Sequence, residues 1–247
     1  MKTVLITGAS RGIGAATALL AAKSGYAVVI HCLKNRIEAD LIAERIAGMG
    51  SNAFVVQADI SKPNEIERMF TWLDKEVGTI YGLVNNAGIL ETQMRFESMD
   101  SARLSRIMQT NVLGTMLCAK EAILRMSTKN GGKGGSIVNV SSIASKTGSP
   151  FEYVDYAASK GAIDTFTLGI AKEVAGEGIR VNAVRPGLIH TDIHASGGEA
   201  GRIDRLKEKI PLQRGGQAEE VAEAILWLLS EKSSFTTGSF IDVSGGL

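Results

Sequence analysis

Thr7-Gly8-Ala9-Ser10-Arg11-Gly12-Ile13-Gly14 follows the apolar run Val4-Leu5-Ile6 and opens a helical pattern that continues to Lys23. Glycines at 8, 12 and 14 give G-x-x-x-G-x-G, a different spacing from the G-x-G-x-x-G dinucleotide fingerprint but with the same physical content. Small residues let the backbone turn tightly and approach a pyrophosphate, and the helix that follows presents its N-terminal N–H groups to that charge. A short apolar strand passing through such a loop into a helix is the first half of a βαβ unit.

Outward from this junction the same alternation repeats. Residues 4–7, 27–32, 53–57, 82–85, 136–140, 180–184 and 240–243 read as strands, several of them continuously apolar, as strands buried on both faces of a parallel sheet must be. Helical patterns lie between them at 14–23, 37–49, 64–77, 101–125, 156–175 and 218–230. The expectation is an α/β fold: a doubly wound parallel sheet of about seven strands with helices on both faces and right-handed crossovers, a Rossmann fold. No linker, low-complexity tract or internal repeat divides the 247 residues, so one domain spanning 1–247 is expected.

Composition narrows the function. With 45% hydrophobic and 21% charged residues and a net charge of +1, the chain has the profile of a globular protein and lacks the basic surface of a nucleic-acid binder. The apolar run at the N-terminus stops after three residues, short of a signal-peptide core, and no stretch approaches the length of a membrane span. Cys32 and Cys118 have no metal-like or C-x-x-C spacing and read as buried free thiols. A cytoplasmic protein with no metal is expected.

Ligands of such sheets bind beyond the carboxyl ends of the strands, and the chemistry-bearing residues cluster there. An NAD site usually has an acid at the end of the second strand, for the ribose 2′-OH. Here that strand ends His31-Cys32-Leu33-Lys34-Asn35, while Arg11 and Lys34 can neutralise a 2′-phosphate, so NADP(H) is expected over NAD. Asp59, followed by Ile60 after the third strand, is placed to accept from an adenine amino group. Asn85-Asn86-Ala87-Gly88 forms the turn after the fourth strand.

Tyr156-Ala157-Ala158-Ser159-Lys160 carries the reaction reading. Residues four apart share one helix face. A phenol with a pKa of about 10 is a poor proton exchanger at neutral pH, and a neighbouring ammonium brings that value down. Tyr153 is a rival for the same lysine at a longer spacing. Ser141-Ser142, at the end of the fifth strand, can donate to a substrate carbonyl. Asn111 is a poor helix former in an apolar helix, either a structural hydrogen-bonding residue or the holder of a water near Lys160.

Together these residues resemble the short-chain dehydrogenase/reductase family, along essentially the whole chain. The matches are T-G-x-x-x-G-I-G from Thr7, Asp59, N-N-A-G from Asn85, Asn111, Ser142, Tyr156 with Lys160, and Pro186-Gly187 with Thr191. The resemblance implies Tyr156 as proton donor and acceptor, Lys160 as ribose ligand and pKa-lowering group, Ser142 as carbonyl polariser and Asn111 as anchor of a proton relay. Pro186, Gly187, the Ile189 backbone and Thr191 would hold the nicotinamide. Ser142 stands 14 residues before Tyr156, one more than in many members, and is preferred to Ser141. The chain looks closest to bacterial glucose 1-dehydrogenase-like and 3-oxoacyl-carrier-protein reductase-like enzymes. The Tyr153–Lys160 spacing is similar to that of enoyl reductases, but the intact N-N-A-G and Tyr156 favour carbonyl chemistry.

The implied function is NADP(H)-dependent hydride transfer to or from a carbonyl/alcohol substrate, such as a sugar or small ketone. The alternatives are a 3-oxoacyl-thioester reductase and, from another class, a non-catalytic dinucleotide-binding sensor. Residues 188–214, carrying His190, Asp192, His194 and Glu199, are expected to form a substrate lid with Gly197, Gly198 and Gly201 as hinges. A homotetramer is expected from resemblance alone, with the helices around Asn111 and Tyr156 packed between subunits.

Overall fold

The computed structural model describes all residues, 1–247. Seven parallel strands form one sheet in the order β3-β2-β1-β4-β5-β6-β7, a Rossmann-type doubly wound α/β fold. They are β1 (Thr3–Ile6), β2 (Ala27–Cys32), β3 (Ala53–Gln57), β4 (Gly82–Asn85), β5 (Gly135–Val140), β6 (Ile179–Pro186) and β7 (Phe240–Val243). The helices are α1 (Gly12–Lys23), α2 (Arg36–Gly48), α3 (Pro63–Glu76), α4 (Ser101–Met108), α5 (Thr115–Met126), α6 (Ala144–Thr147), α7 (Val154–Val174), α8 (Ile193–Ser196), α9 (Arg202–Leu206) and α10 (Ala218–Leu229).

Side chains alternate across each strand, and β1 shows what that does here. Val4 and Ile6 pack with α1, α2 and α10 on one face, whereas Leu5 packs with α3, α5 and α7 on the other. Leu5 pairs with Val29 of β2 and Leu83 of β4, so β1 lies between its two neighbours with both faces covered. The strand order reverses there, between β1 and β4, and a crevice opens beyond the strand ends at that point.

The segment 101–125, expected as one helix, is three. Between α4 and α5 the turns of Gln109–Gly114 are wound as a π-helix. Gly114 makes the packing possible: a Cβ there would lie 2.5 Å from the Ile60 carbonyl oxygen. The wide turn carries Asn111 to a fully buried position, and π-turns recur at functional sites.

Candidate active site

The cleft at the switch point has a volume of about 850 Å³ and is bounded by the loops after β1 and β2 through β6. The glycine loop forms its floor. Gly8 and Gly12 have φ of +64° and +55°, the left-handed region that a side chain disfavours. A Cβ at Gly14 would lie 2.4 Å from the Gly8 carbonyl oxygen and 2.6 Å from Asn86 Nδ2. No side chain caps the start of α1, and no acid sits in its first turn. Its leading N–H groups are therefore free for an anion.

Three side chains hold this loop. The Thr7 hydroxyl accepts from the N–H groups of Asn86 and Ala87, each at 3.0 Å. The Asn86 amide donates to the carbonyls of Thr7 and Gly8, each at 2.9 Å. Asn86 thus braces the dinucleotide loop with its side chain, while Ala87 and Gly88 line the cleft beside it. The third is His31, 2% exposed, which the sequence did not single out. Its Nδ1 accepts from the Gly8 N–H at 3.0 Å. Its Nε2 therefore bears the proton and donates to the Ala58 carbonyl at 2.9 Å. Burial holds His31 below its ordinary pKa range, which keeps the ring neutral and both bonds intact.

Ser10, Arg11, Gly12, Ile13, Lys34, Asn35, Asp59 and Ile60 all line the cleft. Arg11 lies 3.7 Å from Asp192, across the mouth. Asp59 accepts from the Ser61 N–H and hydroxyl through Oδ1 and lies 3.4 Å from Lys62 through Oδ2. No acid follows β2 along this wall, because Leu33, Lys34 and Asn35 occupy the positions after Cys32.

The residues expected to react lie just after β5 and on α7. Tyr156 is half-buried, and the Ser142 hydroxyl beside its phenol lowers the phenol's pKa. Lys160 is 5% exposed; its ammonium lies 5.5 Å from the Tyr156 ring centre and donates to the Val140 carbonyl at 2.7 Å. Ser141 points elsewhere, donating to the Lys160 carbonyl at 3.3 Å. Geometry separates the two serines where spacing did not. Tyr153, the rival, is also buried, and its hydroxyl donates to the Gly197 carbonyl at 3.0 Å.

Burial pushes Tyr156 up to about 12, against a smaller lowering by the Ser142 hydroxyl. Burial likewise brings Lys160 down to about 8, against the raising effect of Asp164. Tyr156 is a neutral phenol at pH 7, as an unperturbed tyrosine also is.

Asn111 does what the blander of its two readings described. Its Oδ1 accepts from the Ile89 N–H at 2.8 Å, and its Nδ2 donates to the Ile89 carbonyl at 3.0 Å and to Ser159 at 3.2 Å. Both amide protons are engaged in fixing the loop after β4 against α7, while Oδ1 keeps a second lone pair on the side of Gly88 that Lys160 also faces.

A buried ion pair ties α4 to the start of α7. Arg103 of α4 meets Asp155 of α7 at 2.7 and 3.3 Å, with side chains 4% and 2% exposed. Arg103 also donates to the Thr92 carbonyl at 2.5 Å, and Asp155 accepts from the N–H of Tyr156 at 2.8 Å. These partners are 52 residues apart, and no local pattern announces them.

On the far wall Pro186, Gly187, Ile189 and Thr191 line the cleft. Thr191 packs on the glycine loop: a Cβ on Gly12 would lie 3.2 Å from Thr191 Cγ2. The segment 188–214 contains the short helices α8 and α9. Gly197, expected as a hinge, packs closely: a Cβ there would lie 2.8 Å from the Tyr153 hydroxyl. Salt bridges reinforce it: Glu152 meets Arg202 at 2.5 Å and Arg205 at 3.0 Å, and Arg205 meets Glu199 at 2.5 Å. His190, Asp192 and His194 form no metal cluster, as no group of three or more His, Cys, Asp or Glu residues could hold an ion.

A glycine-rich anion cradle beside a Ser–Tyr–Lys trio defines an oxidoreductase site of the Rossmann class. The family model described as enoyl-(acyl carrier protein) reductase matches residues 8–247, and the chain belongs to the short-chain dehydrogenase/reductase family. It is 58% identical to an uncharacterised oxidoreductase, YgfF, of Escherichia coli K12, over all of both chains. It is 33% identical to the 3-oxoacyl-[acyl-carrier-protein] reductase FabG of Staphylococcus epidermidis, covering 100% of this chain and 98% of that one. A crystal structure of a short-chain type dehydrogenase/reductase from Mycobacterium marinum superposes with a TM-score of 0.93 at 35% identity, covering 99% and 94% of the two chains.

Proposed function

We propose that this oxidoreductase uses NADP(H) to interconvert a small carbonyl compound and its alcohol, with Tyr156 as the proton donor and acceptor. The observation that carries the reading is the Tyr156 side chain, beside the Ser142 hydroxyl and with the Lys160 ammonium 5.5 Å from its ring centre.

The cleft fits the dinucleotide. The uncapped start of α1 offers N–H groups to a pyrophosphate, and Gly8, Gly12 and Gly14 leave room for its approach. Arg11 and Lys34, with no acid after β2, favour a 2′-phosphate over a free 2′-hydroxyl. Asp59 and Ile60 would flank the adenine, and Pro186, Gly187, Ile189 and Thr191 the nicotinamide. Bound there, the cofactor supplies or accepts the hydride.

The chain's own residues do the rest. Ser142 donates to the carbonyl oxygen and fixes it beside Tyr156. Negative charge gathers on that oxygen as the carbon is reduced, and Tyr156, a neutral phenol at pH 7, passes its proton to it. Lys160, near pKa 8 and still mainly an ammonium at pH 7, steadies the phenolate left behind. In the reverse direction the same phenolate accepts the alcohol proton. Asn111 and the Arg103–Asp155 pair are positioning residues.

The FabG relative favours one specific alternative, reduction of a 3-oxoacyl thioester. The polar residues of 188–214 favour a smaller, hydroxylated compound. Met108, Leu113, Leu124 and Leu168 are exposed apolar residues on the helices around Asn111 and Tyr156, consistent with their burial in a homotetramer. No helix is long and apolar enough to cross a membrane, and both cysteines are free and buried, which supports a cytoplasmic location.

A screen of NADPH oxidation and NADP⁺ reduction over sugars, short ketones, diketones and 3-oxoacyl thioesters tests the activity. Greater thermal stabilisation by NAD⁺ than by NADP⁺ would reverse the cofactor assignment. Nucleotide binding without turnover of any substrate would favour the sensor reading.

A further inference from the structure

Arg202 is 9% exposed and lines the cleft from α9. Its guanidinium lies 4.8 Å over the Tyr153 ring, and Nη2 donates to Glu152. Tyr153 in turn stands three residues before Tyr156, at the start of the same helix. The other guanidinium nitrogen, Nη1, is buried and has no acceptor in the protein. Beside it His194, 8% exposed and also lining the cleft, donates through Nε2 to the Ile189 carbonyl at 3.0 Å. That fixes its tautomer and leaves Nδ1 as a buried acceptor with no donor. The two side chains are close enough for the Arg202 charge to lower the basicity of His194, after the larger effect of burial.

Buried polar atoms without partners are rare in native proteins, and a charged donor is the costliest kind. Two of the chain's four such atoms belong to His194 and Arg202, both on the 188–214 segment that lines a cleft whose acids are Asp59 and Asp192 alone. Both acids are already paired, with Lys62 and Arg11. Of the other cations that line the cleft, Arg106 pairs with Glu91 and Arg202 with Glu152 through Nη2, which leaves Nη1 free, and Lys209 has no ion pair. An acceptor bearing negative charge satisfies Nη1, and an adjacent hydroxyl satisfies Nδ1 of His194.

We propose that the substrate is a small hydroxylated carboxylate, bound with its carboxylate on Arg202 Nη1 and a hydroxyl on His194 Nδ1, so that Arg202 determines specificity. This rests on the carbonyl/alcohol reading above and names the substrate class for it. Glu152 holds the guanidinium from the other side and the Tyr153 ring supports its face, so the fork is oriented before the anion arrives.

The experiment pairs hydroxylated four- to six-carbon oxo-carboxylates with their methyl esters, which remove the charge and keep the shape. Both are titrated calorimetrically into the NADP⁺-loaded protein and assayed for NADPH oxidation. The wild type is expected to bind at least one carboxylate tenfold or more tightly than its ester. Arg202→Gln should erase that preference through KM while leaving ester binding within threefold, and Arg202→Lys should restore part of it. Loss of ester and carboxylate binding alike in Arg202→Gln, or no carboxylate preferred by the wild type, would overturn the proposal. Should Arg202→Gln misfold, the carboxylate-to-ester ratio of Arg202→Lys decides, and an unchanged ratio overturns it. Arg202-dependent carboxylate binding without turnover leaves the anion site standing and removes the oxidoreductase reading. Turnover of neutral ketones at undiminished kcat/KM does the reverse.

Discussion

Arg103→Met removes one half of a buried ion pair and leaves Asp155 charged, 2% exposed and facing no cation. Breaking a buried pair from one side costs about 3–5 kcal/mol, because the remaining charge is uncompensated. The Thr92 carbonyl also loses its donor. For a chain of this size each kcal/mol moves the midpoint by about 2–4 °C, so Tm should fall by roughly 6–20 °C. The double variant Arg103→Met/Asp155→Leu removes both charges and should recover about half of that loss or more, a coupling of about 2 kcal/mol or greater. Activity should not recover with it, because the Tyr156 N–H has lost the carboxylate that holds the start of α7. Chemical denaturation at fixed protomer concentration gives the stabilities, and kcat measured on each folded variant gives the activities. Additive losses, or single variants each costing under about 1 kcal/mol, would refute the reasoning, since a solvated pair behaves that way.

Gly14→Ala should weaken nucleotide binding by about tenfold or more, equivalent to about 1.4 kcal/mol, because its Cβ would meet the Gly8 carbonyl oxygen and Asn86 Nδ2. A nucleotide fluorescence titration checks this, and unchanged affinity would show that the loop gives way freely. His31 supplies a pH signature. Its folded pKa lies below the unfolded value, so its stabilising effect is fully present above about pH 6.5 and is lost as pH falls from there through the folded pKa, at up to about 1.4 kcal/mol per pH unit. His194 is lowered as well, so His31→Gln should reduce the slope of urea midpoints between pH 6.5 and 5 without abolishing it. Equal slopes for the two proteins would count against the neutral, bridging His31.

Most of the fold was legible because a strand buried on both faces has no polar positions to hide. β2, β3, β4 and β7 fall where the apolar runs at 27–32, 53–57, 82–85 and 240–243 put them. The π-turn was not legible, since helix periodicity is blind to one extra residue in a turn; an asparagine in an apolar helix was its single local sign. At the site, Ser142, Tyr156 and Lys160 were readable as residue types at strand ends and at helical spacing, and the structure brings them together. Three features were lost to sequence reasoning for physical reasons. The Arg103–Asp155 pair joins distant segments. His31 looks like any lone histidine in a strand. Gly197 reads as a hinge until the Tyr153 hydroxyl is seen against it. Burial at Tyr156, which pushes its pKa up, is equally invisible to spacing, which reveals only the nearby charge.

The central claim is that the Tyr156 phenol carries the proton in this reaction. Its most direct test is Tyr156→Phe, which removes one hydroxyl oxygen and leaves the ring, the Lys160 ammonium and the glycine loop in place. Steady-state turnover should fall by about 10²–10⁴-fold, the usual share of a positioned acid/base, while NADP⁺ binding by calorimetry stays within a few-fold of wild type. Turnover undiminished in Tyr156→Phe, with nucleotide still bound, would contradict the account.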